Sequence, residues 1–292
     1  MSGMSYKLIT DSCCDLPYTF IEEQDIDVVN LTVHMDGKEL VDDMGKSFDR
    51  NQFFLELKNG AVATTSQINI GTYIDVFEKY VKADIPVLYI AFSSALSGSY
   101  NNAVTAVEQL KENYSHVDIT IVDSKAACLG EGLLVYEAAM RKADGAALEE
   151  VAQWLEDNKM RVHSWVTVDD IKHLERGGRV SALSATIGTL LNVKPIIIVN
   201  PEGGLVPYGK VRGRKKSLSY LVNKTVEGIV SPESQTIFIG HVGVPEEAEM
   251  VKQELQSQLN VKDIKIYPYG PTIASHTGFG SLSIFSLGEE RR

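Results

Sequence analysis

The chain has 292 residues, 44% of them apolar and 23% charged, with a formal net charge of -11 at pH 7; this is the profile of a soluble globular protein of one large or two ordinary domains. The acidic balance argues against nucleic-acid binding. No apolar run reaches the roughly 20 residues of a membrane helix, so no stable membrane insertion is expected, and the start, Met1-Ser2-Gly3-Met4-Ser5, has no apolar signal region, which makes the cytoplasm the expected compartment. Cys13 and Cys14 are adjacent and Cys128 is distant, so no disulfide framework is suggested; with no Cys-x-x-Cys and no His/Cys cluster, no metal site is expected either.

In chain order, Tyr6–Thr10 reads as a strand emptying into the polar loop Asp11-Ser12-Cys13-Cys14-Asp15, and Pro17 opens a short helix through Glu23. Ile26–Val33 is expected to be one strand, with Asp36-Gly37 as a hairpin turn into Lys38–Val41. Phe48–Leu57 reads as a helix, Thr64-Thr65-Ser66-Gln67 as a polar loop, and Gly71–Val81 as the helix it enters. A buried strand over Val87–Ala91, a Ser/Gly loop and a helix over Ser99–Lys111 follow; then a strand over Ile119–Val122 and helices over Leu129–Lys142 and Leu148–Asn158. Strand–helix alternation predicts a mostly parallel sheet flanked by helices, with a ligand beyond the carboxyl ends of the strands.

Past Met160 the pattern changes. His163–Val168 reads as a strand, Asp169–Arg176 and Ala182–Leu191 as helices, and Lys194–Asn200 and Leu205–Val211 as strands joined by the turn Pro201-Glu202-Gly203-Gly204. Arg214–Gly228 is helical, Thr236–Val242, Glu246–Leu259 and Ile264–Tyr269 give strand, helix, strand, Gly270-Pro271 opens a final loop, and Ser283–Leu287 is a last strand. The fold class is therefore α/β in two domains: residues 1–160 with a mostly parallel sheet, and residues 161–292 as an α+β domain with a mixed sheet.

Chemistry concentrates in a few loops. In Ser93-Ser94-Ala95-Leu96-Ser97-Gly98-Ser99, a strand runs through hydroxyls into a helix start, an arrangement that suits a phosphate or a carboxylate. Ser97 is a candidate ligand hydroxyl, a helix cap or, as a nucleophile, a residue lacking the sharp Gly-x-Ser-x-Gly elbow. Thr65 and Ser66 are either helix caps or a second hydroxyl-bearing helix start that grips a carboxylate together with the Ser97 loop. Asp11 and Asp15 read as turn-stabilising or capping groups, and Cys13 and Cys14 as a bland polar loop. Two basic clusters surround glycines, Arg176-Gly177-Gly178-Arg179 and Arg212-Gly213-Arg214-Lys215-Lys216; they read as anion-binding forks or as a solvated cationic face. His276, in a Gly-flanked stretch near the end of the chain, is a site candidate or a surface residue; His34, His116, His163, His173 and His241 have no partner at metal spacing.

Taken together, the segments Thr10-Asp11-Ser12, Thr65-Ser66-Gln67, Ser93–Tyr100, Val122-Asp123-Ser124, Leu174–Ser181, Lys194-Pro195-Ile196, Lys210–Gly213 and Gly270-Pro271 with His276–Gly280 resemble the DegV family of bacterial fatty-acid-binding proteins over nearly the whole chain. The resemblance implies two α/β domains with a long-chain fatty acid buried between or beneath them. It implies that Thr65, Ser97, Ser66, Gly98 and His276 hold the carboxylate, and that Arg179 and Arg212 lie near it. It further implies that the bound acid is presented to a fatty acid kinase, which makes an acyl-phosphate for phospholipid synthesis, and that the chain itself is not an enzyme and needs no cofactor. Two positions depart from the family pattern: Ile68-Asn69 stand where Pro-Ser is usual, and Phe279 where a proline is. The alternative from the residues alone is a hydrolase or phosphotransferase on a small anionic metabolite, with Ser97 as nucleophile, His276 as base and Arg179 or Arg212 as clamp.

Overall fold

A computed structural model describes residues 6–180 and 192–292. The expected helix over Ala182–Leu191 lies outside the described residues. Ten α-helices and thirteen strands, the strands in three sheets, are assigned among the described residues.

The first sheet has the order β2-β1-β6-β7 and is parallel throughout, with β1 at Lys7–Asp11, β2 at Ile26–Val29, β6 at Val87–Ala91 and β7 at Ile119–Asp123. Every residue of β6 is buried, as a continuous apolar run requires when a parallel sheet is covered on both faces. Among its crossovers are α1 (Tyr18–Glu23), α3 (Ile70–Lys82) and α4 (Ser99–Asn113). A small antiparallel sheet, β4-β3-β5, stands apart from it: β3 is Thr32–Met35, β4 Lys38–Val41 and β5 Ala63–Ser66, with α2 (Arg50–Lys58) between β4 and β5. Asp36 and Gly37 both take positive φ at the β3–β4 hairpin, the twist a two-residue turn needs.

The third sheet has six strands in the order β10-β9-β8-β13-β11-β12: β8 Val162–Thr167, β9 Val193–Val199, β10 Leu205–Arg212, β11 Thr236–His241, β12 Asp263–Pro268 and β13 Leu282–Leu287. Only β11 and β12 pair in parallel, so the sheet is mixed. Helices α8 (Arg214–Gly228) and α9 (Pro245–Gln258) cover one face with an apolar cluster that includes Leu221, Ile239 and Val251.

Helix α5 (Leu129–Ala143) lies between the two large sheets, touching β6 on one side and β8, β11 and β13 on the other; α6 (Leu148–Asn158) packs beside it. Its glycines permit the close approach. A Cβ on Gly132 would stand 2.3 Å from the Cys14 carbonyl oxygen, and one on Gly130 3.1 Å from the Phe285 ring. The largest apolar cluster consequently joins residues of the first half to Phe238, Tyr269, Ile273 and Phe285 of the second.

Three expectations need correction. Ile26–Val33 is not one strand: the chain leaves the parallel sheet after Val29, and Thr32 begins the antiparallel one. The break is held by the Ser12 hydroxyl, which accepts from Leu31 N–H at 2.9 Å. Thr64–Gln67 is not a loop at a helix start, because Ala63–Ser66 is β5, and α3 begins only after Asn69, whose side chain accepts from Thr72 N–H. Gly270-Pro271 opens not a loop but α7's neighbour α10 (Pro271–Thr277; α7 is Lys172–Gly177), with proline at the first helical position, where its missing N–H costs nothing.

Candidate ligand-binding cleft

Beyond the carboxyl ends of β2, β6 and β7 lies a cleft of about 740 Å³, counting the part open to solvent. Both halves of the chain build it. The first half contributes Leu31, Phe92, Leu96, Ala127 and Cys128; the second contributes Val166 of β8, Ile197 of β9, Leu205 of β10, Leu174 of α7, and Tyr269 and Ile273 at α10. The two walls are tied across: Ser93 Oγ donates to Gly203 O at 2.8 Å, which docks the β9–β10 turn on the Ser loop. Thr272 and Thr277 also line the cleft, but their hydroxyls are engaged elsewhere, with Asp42 Oδ2 and Ile273 O respectively.

The polar groups gather at one end. Thr65 Oγ1 and His276 Nε2 are 2.8 Å apart. Arg179 Nε donates to Leu96 O at 3.3 Å, and its Nη1 to Gly177 O. Gly177 in turn lies against the imidazole, so close that a Cβ there would be 2.2 Å from His276 Nδ1. Gln67 and Ser97 complete the group. Burial, with Arg179 adding to it, pushes the His276 pKa down to about 4, so the ring is neutral at neutral pH. Its Nδ1 is buried without a partner. The tautomer that fits carries the proton on Nε2, because an orphaned buried N–H is rarer than an under-used acceptor. Nε2 then donates to Thr65 Oγ1 and leaves the Thr65 proton free for the cleft.

Ser97 sits just before α4. Its Oγ accepts from Ser99 N–H at 3.2 Å and lies 2.9 Å from Ser99 Oγ. Gly98 is the residue at the helix start, and the place of a Cβ is taken by the Gln67 side chain, 2.2 Å away; glycine is needed for that approach rather than as a lining group. Asp123 organises the neighbouring loop by accepting from Ser94 N–H and Lys125 N–H, with Lys125 Nζ at 2.9 Å. Burial works against its charge, but these bonds prevail and hold the carboxyl below its usual range.

Two expected residues are elsewhere. Ser66 faces away from the cleft, since side chains alternate along β5, and its Oγ is 2.7 Å from His34 Nε2. Arg212 ends β10 as an exposed residue and is not among those lining the cleft; in the same basic cluster, Arg214 braces Glu247 and Gly280 O. Nor does the structure assemble the nucleophile and base of the alternative reading: the Ser97 hydroxyl is joined to Ser99, and His276 to Thr65. Asp11 has the capping role expected, its Oδ1 accepting from Cys13 N–H at 3.0 Å, whereas the Asp15 side chain does not hold its own turn but accepts from Gly270 N–H of the second half at 2.9 Å. Cys13, Cys14 and Cys128 are free and buried, and burial pushes each thiol up. Gln67 was missed as a site residue. The signal was present, because Thr65 and Gln67 fall on the same side of an extended segment and Ser66 on the other.

The model of a family described as DegV matches residues 5–289. The chain belongs to the DegV family. A DegV domain-containing protein of Clostridium perfringens is 43% identical over 286 residues, 98% of each chain. Among solved structures, a DegV family protein from Thermus thermophilus, described by its fatty acid binding, superposes with a TM-score of 0.87 at 28% identity, covering 98% of this chain and 100% of that one. DegV of Bacillus subtilis, described as a fatty acid binding protein, gives 0.83 at 28% identity, with the same coverage. Among the described residues, no helix is long and apolar enough to cross a membrane, and no group of three or more His, Cys, Asp or Glu is placed to hold a metal ion.

Proposed function

We propose that this DegV family protein binds a long-chain fatty acid, with the carboxylate on Thr65 and Ser97 and the acyl chain in the cleft. The observation that carries this reading is the continuity of the cleft, which leads from hydroxyls and a neutral imidazole directly into an apolar interior. Ten buried methylenes would contribute about 8 kcal/mol of gross stabilisation. The headgroup needs donors that cost little to bury, and hydroxyls meet that need better than a buried ion pair. The fatty acid binding named for the Thermus thermophilus and Bacillus subtilis relatives supports the same reading.

The test is mass spectrometry of an organic extract of the purified protein, beside a Thr65→Ala/Ser97→Ala double variant. A fatty acid at near-stoichiometric occupancy in the wild type, and its loss from the variant, is expected. Full occupancy in the variant would remove both residues from the site, and wild-type protein free of lipid would overturn the reading.

We propose further that the bound acid is handed to a fatty acid kinase, with Arg179 exposed at the polar end of the cleft and Arg212 on the second domain serving the partner rather than the lipid. Formation of acyl-phosphate from the loaded protein, ATP and a purified kinase checks this. The division into domains 1–160 and 161–292 is part of the same proposal, and limited proteolysis with cleavage near Met160 tests it.

A further inference from the structure

Two residues at the polar end of the cleft have features that the hydroxyls and the imidazole do not account for. Gln67 lines the cleft and is exposed, and its side-chain amide makes no hydrogen bond among the described residues. Gly98, at the start of α4, has φ of -71° and ψ of -3°, right-handed backbone angles that are open to alanine. Glycine is therefore not required there by its backbone. What excludes a side chain is Gln67: a Cβ on Gly98 would stand 2.2 Å from Gln67 Oε1, 2.9 Å from Cδ and 3.1 Å from Nε2. The carboxamide takes the room that a methyl would fill.

The backbone beside Gln67 is held to the same helix start. Ile68 N–H donates to Ser99 Oγ at 3.1 Å, and Asn102 Nδ2 donates to Ile68 O at 2.8 Å, with Ile68 itself buried. Gln67 thus reaches from the end of β5, which carries Thr65, onto the loop that carries Ser97. A bound carboxylate offers two oxygens and about four lone-pair directions, whereas Thr65 and Ser97 have one proton each. Arg179, the cation lining the cleft, commits Nε to Leu96 O and Nη1 to Gly177 O. The Gln67 amide has two protons to give and no charge to desolvate.

We infer that Gln67 selects the headgroup: its amide donates to the bound carboxylate from the solvent side, and the bare Cα of Gly98 is what lets it stand there. The inference rests on the carrier reading above and deepens it. It gives the site a preference for an acid over the alcohol of the same chain. An alcohol oxygen has two lone pairs, which Thr65 and Ser97 already fill, so a third donor gains nothing from it. A carboxylate has lone pairs to spare, and the third donor meets a charged acceptor, the stronger kind of hydrogen bond.

The experiment measures the affinity of the delipidated full-length protein for decanoate and for decanol by competition with a fluorescent fatty acid, at about pH 8, where the acid is ionised. Gln67→Ala is expected to weaken decanoate about tenfold and decanol by less than about twofold. Gly98→Ala is expected to give the same split, because its methyl displaces the amide. The double variant is expected to bind decanoate no more weakly than Gln67→Ala alone, since with the amide gone the methyl has room. Thermal melts establish that the variants fold; should Gly98→Ala not fold, the Gln67→Ala comparison of acid with alcohol decides, and should wild type not bind decanol, the double variant decides. Gln67→Ala that binds decanoate as tightly as wild type overturns the inference. Equal losses for decanoate and decanol overturn it too, because the residue then shapes the cleft and does not read the headgroup. So do losses that multiply to about a hundredfold in the double variant, because Gly98 then acts apart from Gln67. Each of these leaves the carrier reading standing, whereas wild type that binds no fatty acid of any length overturns both.

Discussion

On β5 the Thr65 side chain enters the cleft and the Ser66 side chain leaves it, so two adjacent hydroxyls carry different expectations. Thr65→Ala should weaken fatty-acid affinity by about thirtyfold, the cost of about 2 kcal/mol for a lost bond to a charged group, whereas Ser66→Ala should change it by less than about twofold; displacement of a fluorescent fatty acid measures both. His276 gives a second prediction. Its folded pKa is about 4, against an ordinary value near 6.5, so the unfolded chain binds the proton first. The stability it supports is present above about pH 6.5 and is lost as pH falls toward 4. The stability difference between wild type and His276→Gln should therefore shrink by about 3 kcal/mol across that window in urea titrations. Ser97 and His276 were visible in the sequence as a hydroxyl at a helix start and a histidine among glycines. The tie of His276 to Thr65 was not, because 211 residues separate them.

At the level of elements, α5 is the member that fixes the distance between the two large sheets. Gly132→Ala would push a methyl against the Cys14 carbonyl, a backbone atom with nowhere to go. We expect a loss of about 1 to 3 kcal/mol in chemical denaturation, with Gly145→Ala, where nothing lies within 4 Å but φ is positive, as a comparison that reports backbone strain alone. Periodicity made α3, α4, α5, α8 and the long strands legible within a residue or two, since each repeats its apolar pattern over enough length. It failed at β5 of the small sheet, although the β3–β4 hairpin was legible from Asp36-Gly37. Thr64-Thr65-Ser66-Gln67 has no apolar alternation, and it is a strand because β3 offers it a pairing edge. The same holds for α10, whose glycine-rich surroundings read as loop and whose burial under both halves stabilises a helix of seven residues.

At the scale of the whole molecule, the cleft walls come from both halves, so a ligand in it joins them. Delipidated protein should melt at a lower temperature, and fatty acid at about a hundred times its Kd should restore about 2.7 kcal/mol, seen as a concentration-dependent rise in Tm. The two-sheet architecture was legible from the change in pattern near Met160. The shared interior was not, because no local signal says that Phe238, Tyr269 and Phe285 pack with residues of the first half.

Asp15 and Asp42 are buried in the first half, and they find their donors at Gly270 N–H, Thr272 N–H and the Thr272 hydroxyl, 255 and 230 residues onward. During synthesis those carboxylates lack these partners until Gly270 and Thr272 have left the ribosome. A nascent chain halted before Gly270 would leave Asp15 and Asp42 without these donors, with Met44 N–H and the Arg50 charge as what the first half itself supplies. The opening portion of this protein therefore cannot complete its own packing until the segment around Gly270 and Thr272 has been made.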